Sequence, residues 1–208
     1  MLGFRLGDLA KGAVRATMLL LAATLGLLAA SLAHAATPAP ALKKQLDTFF
    51  SNFSEADLNS FTAGQLSDDA MLAFALDHIL INARKELKLT ESGETGIAAA
   101  ALVDKVTLRY FDQKIVTGRK ASYPVVIADG EAYVFSQVSG MEELGGGLFT
   151  ASGDIFSAGS GAVIDPHAKP ADWAKAGEDV AKVAGFTATV KAIEKRFVLI
   201  EYQVTPQP

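Results

Sequence analysis

The spacing of apolar residues changes partway along this chain, and that change restricts the fold more than any other feature. Up to about residue 111 they recur every three to four positions, the period of a helix; beyond Gly118 they recur every second position, the period of a strand. Each helix must then bury one stripe against one face of a sheet, and strands that follow one another through short turns pair antiparallel. The expected class is α+β, with N-terminal helices packed on a curved, largely antiparallel C-terminal sheet.

The first 35 residues stand outside this pattern. Arg5, Lys11 and Arg15 accompany an apolar run over residues 16–30, and Ala33-His34-Ala35 supplies small residues at the −1 and −3 positions of a cleavage site. This is the layout of a Sec-type signal peptide cut between Ala35 and Ala36, and it implies a periplasmic or secreted protein. The apolar run is shorter than the ~20 residues that span a bilayer, so no stable membrane anchor is expected after processing; an uncleaved signal anchor is the alternative. Residues 36–41, with Pro38 and Pro40, read as an extended leader, and residues 42–208 as one α+β domain.

Removing the first 35 residues takes away three basic residues and one acidic residue, so the net charge moves from −4 to −6. Nucleic acid and anionic lipid select basic faces and are poor partners for such a chain, although a small basic patch remains compatible with it. The chain has no cysteine. Disulfides, thiolate metal sites and a lipidated N-terminal cysteine are therefore excluded, and the domain must be stable through its core.

Leu42, Leu46, Phe49, Phe50 and Phe53 share one helical face, and residues 54–61 read as a short helical restart or turn. Ser67 is placed to cap a second helix whose first turn carries Asp68 and Asp69. Its stripe runs through Leu72, Ala75, Leu76, Ile79, Ala83 and Leu87, beside a second stripe that includes Phe74 and His78. Residues 97–111 favour a third helix on the strength of their alanines, with strand-like alternation over residues 106–110 as the competing pattern. Residues 123–127 and 131–138 read as a hairpin closed at Ala128-Asp129-Gly130. Residues 140–147 read as a glycine-rich contact loop, residues 148–151 and 154–157 as two short strands broken at Ser152-Gly153, and residues 172–176 as a helical turn. The last two strands turn at Glu194-Lys195-Arg196, with Val198, Ile200, Tyr202 and Val204 on one face.

This order of elements resembles the NTF2-like and cystatin-like folds. The run Phe49-Phe50-Ser51-Asn52-Phe53-Ser54, followed by Leu66-Ser67-Asp68-Asp69 with Phe74 and His78, also resembles a pattern in exported bacterial proteins. The resemblance implies a cone-like helix-on-sheet layout; it implies no activity, because such folds host both enzymes and binding modules.

Chemistry-bearing motifs are sparse. Cleavage leaves two histidines, His78 and His167, too few for a multi-histidine metal site. His78, one turn from Phe74, is either a general base at the mouth of an apolar cavity, with Asp104 as the accompanying acid, or a core histidine satisfied by a hydrogen bond. Asp165-Pro166-His167, with Asp172 or Glu178, is either a weak ligand set or an ordinary turn. Gly159-Ser160-Gly161 lacks the spacing of a nucleophile elbow, and Gly145-Gly146-Gly147 lacks the Lys-Ser/Thr of a phosphate loop. Trp173, Tyr133 and His78 are the candidate lining of an apolar pocket between helix and sheet. The functional expectation is an exported, non-catalytic binding or accessory protein without a cofactor, whose partner is a small apolar molecule or an envelope protein. The alternatives are a cofactor-independent enzyme built on His78 and an interaction module or inhibitor of an envelope enzyme.

Overall fold

Proline at the first helical position needs no N–H and comes with a helix-compatible φ, and the chain uses Pro40 in this way. Helix α1 (Pro40–Glu55) therefore starts two residues before Leu42 and buries Leu46, Phe49, Phe50 and Phe53. A computed structural model describes residues 36–127, 132–159 and 162–207. The signal segment with Ala35, the Ala128-Asp129-Gly130 turn and residues 160–161 lie outside the described residues. No helical restart follows α1: Asp57 takes φ 46°, and the chain extends until Phe61 pairs with Tyr202.

Helix α2 (Asp68–Asn82) is capped as the sequence indicates, with the Ala70 N–H donating to Ser67 Oγ at 3.1 Å. Asp68 does more than complement the dipole. Its Oδ2 accepts from the backbone N–H groups of Val116 and Thr117, which hold its carboxyl below the ordinary carboxylate range. The helix stops at Asn82, short of the Ala83 and Leu87 positions of its apolar stripe. A single 3-10 turn (Arg84–Glu86) carries Leu87 onward, and Leu87 is buried over Gly96, where a Cβ would lie 2.9 Å from its Cδ1.

Strands β1 (Lys88–Leu89), β2 (Thr95–Ala99) and β3 (Ser122–Val126) form an antiparallel sheet in that order. Residues 97–99 are thus strand rather than helix, because Ala98 pairs with Tyr123 and long-range pairing overrides alanine's helix preference. Helix α3 (Ala100–Phe111) begins only after that strand and continues helically through the residues whose alternation mimicked a strand.

A second antiparallel sheet follows in simple sequence order: β4 (Ala132–Gly145), β5 (Leu148–Gly159), β6 (Val180–Ile193) and β7 (Arg196–Pro206). Three sequence readings change here. β3 and β4 lie in different sheets and are not a hairpin. Residues 140–147 are not a loop: β4 runs through them to a tight Gly145-Gly146-Gly147 turn, in which all three glycines have positive φ. β5 is continuous across Ser152-Gly153, where a Cβ on Gly153 would lie 2.1 Å from the Gln137 carbonyl oxygen and 2.6 Å from the Phe186 ring. Glycine stands there for close packing, not to break the strand.

The face assigned to β7 also changes. Val190 pairs with Leu199 and Thr189 with Glu201, which leaves Ile200 as a bulge and turns Leu199, rather than Val198 or Ile200, to the side shared by Tyr202 and Ala188. Along β4, Val134, Ser136 and Val138 face α1, whereas Tyr133, Phe135 and Gln137 face helix α4 (Pro170–Ala176), which covers the other side of the sheet.

Both outer strands of this sheet have some of their free backbone groups covered. On β4, Ser136 N–H donates to Ser51 Oγ (3.0 Å) and Val138 N–H to Asp47 Oδ1 (2.7 Å), two acceptors one turn apart on α1. Farther along, Ala36 and Met141 exchange two backbone hydrogen bonds of 2.9 Å. On β7, Phe61 pairs with Tyr202 and Val204 N–H donates to Ser60 Oγ at 2.8 Å. The result is an α+β fold in which N-terminal helices pack on a C-terminal antiparallel sheet.

Candidate functional site

His78 lies on α2 with its ring stacked on Phe74 (5.7 Å) and edge-on to Tyr110 of α3 (4.9 Å). Asn82 Nδ2 is 3.2 Å from its Nδ1 and donates to it when the ring is neutral. Burial and the nearby Arg109 guanidinium depress its pKa to about 4. The proposed acid stands elsewhere: both oxygens of Asp104 accept from Arg119, at 2.5 and 2.7 Å, with Lys114 at 3.9 Å. Asp104 precedes Tyr110 by six residues, ~9 Å along the helix axis, and the structure does not bring it to the imidazole.

Tyr133 and Trp173 meet in a different place. Trp173 is buried between Phe135 and Phe156, both at 5.3 Å, and Tyr133 stacks on Phe135 at 5.4 Å. Because strand side chains alternate, this cluster lies across the sheet from the Val134 side. The three pocket residues read from sequence therefore do not line one pocket. The Trp173 Nε1–H donates to the Asp165 carbonyl, and Asp165 Oδ1 accepts from the His167 N–H, so Asp165 is spent on its own turn. Gln137 clamps that turn to β4 through the Pro166 and Ala168 carbonyls, at 2.6 and 2.8 Å. His167 sits not with Asp172 or Glu178 but with Nδ1 at 3.5 Å from Asp47 Oδ2, which also takes a 2.7 Å bond from Lys43. Among the described residues no three acidic or histidine side chains converge as a metal site.

A pocket between helix and sheet does exist, at the C-terminal end of α1. A cavity of about 470 Å³ opens between residues 53–60 and the sheet face that carries Val134, Ile155, Ala184, Tyr202 and Val204. Its lining is largely apolar. Tyr202, a fully buried member of that lining, has a hydroxyl without a hydrogen-bond partner among the described residues. Burial raises the pKa of that phenol. Glu55 reaches the same cavity; burial raises its carboxyl pKa, partly opposed by a hydrogen bond from Asn82, and Asp57 stands beside it. The polar groups at the mouth thus include hydrogen-bond acceptors.

Tyr202 had been legible only as one residue of a strand face, and Glu55 only as part of a helix end. What joins them is the extension after Asp57 that lays Phe61 along β7. Comparisons of this chain with protein family models, with curated proteins and with solved structures give no match.

Proposed function

We propose that this chain is an exported, non-catalytic binding protein that holds a small apolar molecule in the cavity at the end of α1, with the ligand's one polar group a hydrogen-bond donor such as an amine or hydroxyl. The observation that carries this reading is a largely apolar space of about 470 Å³ at the end of α1 with Glu55 and Asp57 in its wall. Glu55 and Asp57 offer acceptors there to a ligand's donor, and a hydrogen bond to a charged group contributes about 1.5–3 kcal/mol. The volume is within the usual range for small-molecule sites. Carboxylates at the mouth disfavour an anionic ligand. Binding is favoured over catalysis because Asp104, the proposed acid, is committed to Arg119.

The test uses 1-naphthylmethylamine as the probe, titrated into the purified protein by calorimetry. We expect saturable binding that Val134→Trp abolishes by filling the cavity. Glu55→Gln is expected to weaken binding about tenfold, whereas Tyr202→Phe should leave unfolding stability unchanged or higher, since an unsatisfied buried hydroxyl has been removed. Binding that persists in Val134→Trp, or no uptake by the natural sequence at millimolar probe, would reject the proposal.

A further inference from the structure

We infer that a second, separate cleft binds a small amphipathic carboxylate: an apolar or aromatic body with one negatively charged head. The cleft, about 540 Å³, lies between the outer face of α1, the last turn of α3 and the β6–β7 turn. Its floor is aromatic. Phe49 lies 5.7 Å from Phe197 and 6.0 Å from Tyr110, a platform for a flat apolar body.

Its rim is cationic. Lys44, Arg109, Lys195 and Arg196 all line it, and no acidic residue does, in a chain whose acids outnumber its bases. Arg196 is already engaged: it donates to the carbonyls of Leu108 and Arg109, at 2.8 and 3.1 Å, and pairs with Asp112, closing the C-terminal end of α3. Arg109 lies with its guanidinium carbon 5.5 Å from the Tyr110 ring centroid. Lys44 and Lys195 are exposed and belong to no ion pair among the described residues. Lys44 and Lys195 are available to one anion, with Arg109 held against Tyr110 beside them, and a carboxylate over an aromatic floor is the chemistry they complement.

The turn that presents Lys195 carries a backbone cost. Ile193 pairs with Arg196 across a two-residue connection whose first residue, Glu194, has φ 52°, a conformation for which glycine is the default. Clefts at the two ends of α1 therefore have opposite signs, acidic near Glu55 and basic near Lys44, and select opposite ligands.

The decisive experiment titrates 2-naphthoate, and in parallel the uncharged 2-naphthylmethanol, into the full-length domain by calorimetry. The natural sequence should bind naphthoate at least tenfold more tightly than the alcohol. The double variant Lys44→Glu/Lys195→Glu should lose at least tenfold in naphthoate affinity, and Lys44→Gln/Lys195→Gln about threefold, with unchanged circular dichroism. Val134→Trp, which fills the other cavity, should leave naphthoate binding intact. Equal affinity for acid and alcohol, insensitivity to charge reversal, loss on Val134→Trp, or no uptake at millimolar naphthoate would each overturn the inference. Since the amine probe reports the other cavity, the two readings fail independently.

Discussion

His78 shows what one buried ring does to the whole stability curve. In the unfolded chain its pKa is 6.5, and in the fold it is about 4, so between those values the unfolded state holds a proton that the native state lacks. Native stability therefore falls as pH drops through this window and levels off below it, by about 2 kcal/mol once the ring's partial exposure is allowed for. Glu55, whose carboxyl is raised by burial, contributes with the opposite sign. We expect urea midpoints at pH 7.5 and 4.5 to differ less in His78→Leu than in the natural sequence; an equal difference in both would remove His78 as the cause. At this scale the sequence showed the apolar neighbour one turn away, and Phe74 does stack on the ring. It could not show Tyr110, which arrives from another helix, nor that Asp104 prefers Arg119.

At the scale of elements, strands were misread where Gly140 and Gly153 were taken as punctuation, whereas Gly145-Gly146-Gly147 does turn the chain from β4 into β5. Gly153 is needed in the middle of β5 because the Gln137 carbonyl and the Phe186 ring already occupy the place of a side chain. Gly153→Ala should therefore cost about 2–4 kcal/mol, read as a fall in denaturation midpoint, with the larger part from backbone displacement. A change below about 0.5 kcal/mol would show instead that the position is an ordinary strand glycine. Local signals fared better. Ser67 caps α2 because the cap needs only atoms three residues away, and the β6–β7 hairpin closes where alternation stops and resumes. The bulge at Ile200 was hidden, since one extra residue in a strand changes which side chains face inward without changing the composition. So was the role of Asp47, whose sequence trace is only a carboxylate between Leu46 and Phe49 on an otherwise apolar face, four residues from Lys43.

For the molecule as a whole, the proposed export makes a direct prediction about covalent structure. Expressed in a Gram-negative host, the protein recovered from the periplasm should begin at Ala36 by intact mass; a chain that retains residue 1, or a cut elsewhere, would count against the signal reading. Such a terminus is compatible with the fold, because Ala36 exchanges both of its hydrogen bonds with Met141 and its nitrogen can still donate as an ammonium. The α+β class, the placing of α1, α2 and α3 ahead of the C-terminal four-stranded sheet and the absence of disulfide chemistry were all determined by the sequence alone, because period, propensity and residue type are local or additive properties. Only the tertiary structure decided where function could reside. Two clefts of opposite charge are assembled from α1, α3, the extended chain after Asp57 and the ends of β6 and β7, segments up to about 150 residues apart. Their chemistry depends on which side chains converge and which are already satisfied, and no linear spacing encodes that.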